Sequence, residues 1–179
     1  MNTIQVLDKT FEPFIPQEKI EKAVIDVAKR VSLDYKDKKP LFLVMLNGAF
    51  MFAAEFFKHM EDPCEIQFVK YTTYAGTSST NKVNHLIGLP EGLKGRDVVI
   101  VEDIVDSGFS MKCLTDDIAT QEPKSCKIVT MLFKPQAFKY DYKIDYVGLE
   151  IGNEFIVGYG LDYNSFGRNL PAIYKIVEK

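Results

Sequence analysis

Two kinds of apolar spacing alternate along the chain. "PLFLVML" (residues 40–46), "RDVVIVEDIV" (96–105) and "CKIVTMLFK" (126–134) carry near-continuous aliphatic runs, the pattern of strands buried on both faces of a parallel sheet. Between such runs the spacing becomes helical. Ile20, Val24, Val27, Ala28 and Val31 follow Pro16 as one stripe, which predicts a helix starting at that proline. "GAFMFAAEFFKHM" (48–60) and "SMKCLTDDIATQ" (110–121) predict two more helices. "EIQFVKYTTY" (65–74) is rich in strand formers, and "IDYVGLEIG" (144–152) and "EFIVGYGLDY" (154–163) read as closing strands. The alternation predicts an α/β domain: a mostly parallel central sheet with right-handed crossovers, flanked by helices. One long polar interruption, "TTYAGTSSTNKVNH" (72–85), holds almost nothing to bury; it reads as a mobile flap or as a plain surface hairpin.

Composition narrows the class further. At 179 residues the chain fits one domain with a full core. Hydrophobic content of 46% with 26% charged residues argues against disorder. A net charge of -3 argues against nucleic acid and against a basic membrane-binding face. Cys64, Cys113 and Cys126 are odd in number and lack CxxC spacing, so neither a disulfide framework nor a zinc site is expected. The N-terminal stretch carries no basic-then-apolar signal pattern and no apolar run reaches the length of a membrane span. The expected setting is the cytoplasm.

The chemistry concentrates in "VVIVEDIVDSGFSM" (98–111). Ligands of parallel sheets bind beyond the carboxyl ends of the strands, which places Glu102, Asp103 and Asp106 at such an edge. Ser107, Gly108, Phe109 and Ser110 follow as a small-residue helix start, able to hold a phosphate monoester with main-chain N–H groups and hydroxyls. Carboxylates repel phosphate, but they suit ribose hydroxyls or a hydrated metal ion. A ribose carrying a 5'-phosphate meets both demands. The competing reading is a solvated strand end with Asp106 as a helix N-cap.

That segment resembles the phosphoribosyl-pyrophosphate (PRPP) binding motif of type I phosphoribosyltransferases. The resemblance extends from "LFLVMLNGAFMFAAEFF" through the polar segment to "MLFK" and on to "EFIVGYGLDYNSFGRNLP", about three quarters of the chain. The last stretch is similar to the hypoxanthine-guanine branch. The resemblance implies a purine salvage enzyme joining N9 of a 6-oxopurine to PRPP, with release of pyrophosphate. It also implies a single domain over 1–179, with a core of about 16–150 and a small hood made from about 1–15 and 151–179. Asp106 matches the acid that takes the purine N7 proton; Ser107, Gly108, Phe109 and Ser110 match the 5'-phosphate cradle. Glu102 and Asp103 match the pair facing the ribose hydroxyls and Mg²⁺, and Asp162 matches a second metal contact beside the purine. Asn47 and Gly48 fall on the loop receiving pyrophosphate, with Arg168 as its arginine, and a cis peptide is implied at Leu46–Asn47. Asn47 departs from the pattern, because relatives carry Lys or Arg there. Thr73 and Tyr74 take the flap position where Ser-Tyr is usual. Lys134 matches the donor to the purine 6-oxo group, Phe155 the aromatic stacked on the base, and Ile156 the residue whose backbone meets the base edge. A homodimer or homotetramer is implied.

The roles are chemically coherent. Mg²⁺ is bound by few carboxylates plus phosphate oxygens. Arg presents a planar donor fork to the leaving diphosphate, and Lys can only donate, which favours a carbonyl at purine C6 over an amino group. Taken singly, Lys134 also reads as a strand-end lysine, Phe155 as core, Arg168 as a partner for a surface acid and Asp162 as a turn cap. Two other classes compete. A nucleotide-binding methyltransferase or dehydrogenase would need a glycine-rich loop after an earlier strand, and no G-x-G-x-x-G is present. A non-catalytic regulator on the same fold would be expected to lose its base pocket or gain a nucleic-acid surface.

Overall fold

The computed structural model describes residues 3–73 and 83–177. The chain runs β1 (Ile4–Val6), β2 (Lys9–Ile15), α1 (Gln17–Tyr35), β3 (Leu41–Met45), α2 (Phe50–Lys58), β4 (Glu65–Thr73) and β5 (Val83–Ile87). It continues through β6 (Asp97–Val105), α3 (Phe109–Ala119), β7 (Ser125–Phe133), β8 (Tyr146–Glu150), β9 (Ile156–Val157) and β10 (Ile173–Ile176).

The larger sheet has the order β5-β4-β3-β6-β7-β8 and is parallel except for β5. All five residues of β3, and Val98 to Val101 of β6, are buried. Full burial of each such side chain contributes about 1.5–3 kcal/mol. The stripe of α1 is inside as its spacing predicts, from Ile20 to Tyr35. From β3 the chain crosses through α2 to β4 on one side; from β6 it crosses through α3 to β7 on the other. Right-handed crossovers in opposite directions put α2 and α3 on opposite faces, and α1 packs beside α2. The chain therefore diverges between β3 and β6. Such a switch point leaves a crevice at the carboxyl ends of the two strands, where loops can converge on a ligand.

A second, antiparallel sheet joins the two ends of the chain in the order β1-β2-β10-β9, around Val6, Phe11 and Val157. Here one expectation is corrected. "EFIVGYGLDY" does not close the parallel series as a strand; only Ile156 and Val157 are extended, and they belong to this smaller sheet. The cause is local: Gly158 and Gly160 take φ of +99° and +96°, angles that end an extended run.

The segment 72–85 begins and ends in the antiparallel pair β4–β5, while the flap expected over its middle, including Tyr74, lies outside the described residues. The three cysteines form no disulfide. No described helix is long and apolar enough to cross a membrane.

Candidate active site

β6 delivers its acids and then a phosphate-sized turn. The chain leaves the strand at Val105 and enters α3 through Asp106, Ser107 and Gly108. Gly108 has φ +85°, and a side chain there would overlap Phe138 and Tyr142. The turn is clamped from behind: the Tyr142 hydroxyl donates to the Gly108 carbonyl at 2.6 Å and Lys139 N–H donates to the Ser107 carbonyl at 3.2 Å. Gly108, not Asp106, is the N-cap of α3, and Phe109 N–H at the helix start donates to Ser107 Oγ at 3.4 Å. A cavity of about 110 Å³ opens there, lined by Glu102 and residues 104–111. Helix-start N–H groups and two serine hydroxyls beside a cavity suit an anion.

At the mouth of the cavity Glu102 and Asp103 lie against each other. Asp103 is buried, accepts from Ile104 N–H at 2.9 Å, and touches Gly48 so closely that a Cβ there would overlap its carboxyl. Burial pushes the Asp103 carboxyl up to about 6, opposed by the Ile104 N–H and the charge of Arg168. Glu102 is pushed well above the carboxylate range, first by burial and then by the charge of Asp103. Its Oε2 is buried without a partner among the described residues. Two adjacent acids kept from water, one with an unused oxygen, suit a cation or a pair of hydroxyls.

The loop after β3 meets the same point. Its Leu46–Asn47 peptide is cis, as the resemblance implies. Gly48 packs on Asp103 on one side, while its carbonyl receives Gly160 on the other, where a Cβ would collide with it. Gly160 in turn belongs to the C-terminal segment: Arg168 Nη1 donates to its carbonyl at 2.6 Å, and Gly160 N–H donates to the Arg168 carbonyl at 2.9 Å. Arg168 Nη2 also pairs with Asp162 Oδ1 at 2.6 Å, and Asp162 Oδ2 accepts from Ser165 N–H at 2.6 Å. Arg168 and Asp162 are thus partners of each other, and the arginine's charge reaches Asp103.

Lys134, 7% exposed, follows the end of β7 and donates through Nζ to Asp106 Oδ2 at 2.9 Å. A buried ammonium and a half-exposed carboxylate face the crevice side by side. Phe155 is 44% exposed, not core; it rests edge-on against Tyr163 at 5.9 Å and tilted against Phe11 at 6.2 Å. Ile156 is buried, its backbone paired with Lys175 of β10. Contacts therefore link Glu102, Asp103, Gly48, Asp162 and Arg168 in one group and Asp106 with Lys134 in a second. Among the described residues Phe155 meets Tyr163, the neighbour of Asp162, and Thr73 is the last residue of β4.

Sequence reasoning missed three features. Gly160 was visible as a glycine flanked by apolar residues, the mark of a close backbone approach. Phe138 and Tyr142 carried no pattern. Lys70, whose Nζ donates to Asn47 Oδ1 at 3.1 Å, was hidden among strand formers.

The chain is similar to known proteins over most of its length. A sequence profile of the phosphoribosyl transferase domain matches residues 15–164. The hypoxanthine-guanine phosphoribosyltransferase of Bacillus subtilis is 39% identical over 160 residues, covering 89% of each chain. The hypoxanthine phosphoribosyltransferase of Salmonella typhimurium is 36% identical over 171 residues, covering 94% of this chain and 96% of that one. A crystal structure of a hypoxanthine-guanine phosphoribosyltransferase from Bacillus anthracis superposes with a TM-score of 0.87 at 35% identity, covering 93% of this chain and 98% of that one.

Proposed function

The chain belongs to the phosphoribosyltransferase family, in its hypoxanthine-guanine branch, and from that premise we propose that it joins N9 of hypoxanthine or guanine to the ribose of PRPP. The observation that carries the reading is the Lys134–Asp106 pair. A 6-oxopurine presents O6 and N7 on one edge. A donor and an acceptor held 2.9 Å apart complement an O6 acceptor and an N7–H donor, and 6-aminopurines reverse the demand at C6.

On this reading the 5'-phosphate takes the turn from Ser107 to Ser110, and the ribose hydroxyls face Glu102 and Asp103. Pyrophosphate lies against the main chain of Asn47 and Gly48 with Arg168 beside it. The purine stacks on the exposed face of Phe155, with the Ile156 backbone at its edge. Lys134 turns from Asp106 to the purine oxygen as the base enters, which frees Asp106 to take the N7 proton when N9 attacks. As the C1'–pyrophosphate bond breaks, the acids below the ribose stabilise its positive charge and Arg168 the charge of the leaving group. Thr73 and Tyr74 take the flap role that the resemblance implies.

Enzymes of this family use Mg²⁺ with PRPP. The residues here fit it: Glu102 has a buried oxygen with no partner among the described residues and Asp103 lies beside it, and phosphate oxygens would complete the shell. Glu102 and Asp103 would hold the ion, directly or through water, with Asp162 as a second contact. When bound, Mg²⁺ screens the diphosphate.

We place the enzyme in the cytoplasm as a homodimer or homotetramer. Ile66 and Phe68, 36% and 48% exposed on alternate positions of β4, offer an uncovered apolar face for a second copy. The test is formation of IMP from hypoxanthine and PRPP with Mg²⁺. Product that needs all three supports the reading; PRPP binding without nucleotide formation from hypoxanthine or guanine rejects it in favour of a sensor.

A further inference from the structure

The loop between β3 and α2 carries the exposed amide of Asn47 where the resemblance calls for a cation, and the next strand provides one. In the parallel ladder Met45 lies opposite Val69, and Leu46 N–H donates to the Val69 carbonyl at 2.9 Å. Lys70 is the next residue, so its Cα stands beside the loop. The register of β4 against β5 shifts between Lys70 and Tyr71, a change of the kind that re-aims a side chain next to an active site. Val69 and Tyr71 point into the core, leaving Lys70 on the opposite side. Its Nζ reaches Asn47 Oδ1 at 3.1 Å, and among the described residues it makes no ion pair. An un-neutralised ammonium is thus tethered to the loop by a neutral acceptor.

We propose that Lys70 is the cation that grips the pyrophosphate end of PRPP, with Asn47 as its holder; this rests on the phosphoribosyl-transfer reading above. The pairing is chemically selective. An amide oxygen accepts from an ammonium, whereas a lysine or arginine at position 47 would repel it. The cation has moved from the loop to the neighbouring strand, and the amide at position 47 is its complement. Lysine suits the task because its charge sits on a flexible four-carbon stem. It can leave Asn47 for a phosphate oxygen and return when the product departs.

The test compares binding of PRPP and of inorganic pyrophosphate, each with Mg²⁺, by calorimetry on the intact protein and on Lys70→Gln, Lys70→Arg and Lys70→Gln/Asn47→Lys. Gln keeps a neutral hydrogen bond to Asn47 and loses the charge. Its pyrophosphate and PRPP affinities should fall about tenfold, the scale of one partly exposed charge-assisted hydrogen bond. Arg should retain most of the affinity, and Asn47→Lys in the Gln background should recover it. A Gln variant that binds both ligands as the parent does makes Lys70 a strut of the loop and overturns the inference alone. A parent protein that binds neither ligand overturns the phosphoribosyl-transfer reading with it.

Discussion

At the start of β6, Asp97 accepts from Ser125 Oγ at 2.6 Å and from Lys124 Nζ at 2.9 Å, and these partners hold its carboxyl below the usual range. Glu65, at the same edge of the sheet, is held low by Arg96. At the other end of β6, Glu102 and Asp103 are shifted upwards by burial, and Glu102 keeps an oxygen without a partner. One end of the sheet thus has acids that serve the fold, and the other end of β6 has acids that burden it. Surface partners stabilise the first pair modestly. The second pair is tolerated where a ligand supplies the missing partners, which is how strongly raised carboxylates mark sites of function.

The largest effect belongs to the ligand end. Asp106→Asn preserves shape and the contact with Lys134 but removes the proton acceptor. Turnover should fall about 10²–10⁴-fold, the range of a general base, with PRPP binding largely kept. Unchanged turnover in steady-state assays would reduce Asp106 to a loop residue.

A smaller change is expected at Lys134. Gln in its place donates or accepts, so hypoxanthine efficiency should drop about 10–100-fold, the worth of a buried charged hydrogen bond, while discrimination against 6-aminopurines narrows. Comparing kcat/KM for the two base classes decides it. Full retention of hypoxanthine efficiency would put Lys134 outside the base pocket.

The mildest effect is on stability. Asp103 rises to about 6 from 3.8 in the free chain, so between these values the folded protein binds more protons than the unfolded one. The stabilisation linked to that proton is present below about pH 4 and lost as pH rises through about 6. Asp97 works in the opposite sense: its contribution is present at neutral pH and lost as acid protonates it. Unfolding of the ligand-free protein across this range, with and without Asp103→Asn, isolates the first term. A pH dependence identical in the variant would contradict it.

Much of this comparison was legible in the chain. Aliphatic runs announce β3 and β6 because burial on both faces leaves no room for alternation. The acids after Val101 stand out because nothing in a strand core calls for them. Other features depend on three-dimensional neighbours. That Asp97 is paired rests on Ser125 and Lys124, 28 and 27 residues away. That Glu102 Oε2 lacks a partner among the described residues rests on what fails to reach it. The shortened β9 could have been read from the two glycines of "VGYGL", but the apolar residues around them masked the break. The Lys70–Asn47 contact depends on strand register across β3 and β4, which no local pattern encodes.

The most direct test sets Asp103→Asn against Asp97→Ala, recording thermal unfolding of the free protein at neutral pH together with turnover. Asp103→Asn removes a buried charge and should raise stability by about 1–2 kcal/mol while cutting turnover. Asp97→Ala deletes a satisfied acid and should cost about 1–2 kcal/mol with turnover retained. Opposite signs in stability, with turnover lost in Asp103→Asn alone, are the predicted result. If both substitutions destabilise the protein alike and neither touches turnover, the two ends of β6 do not differ in kind, and the site does not lie where the raised acids mark it.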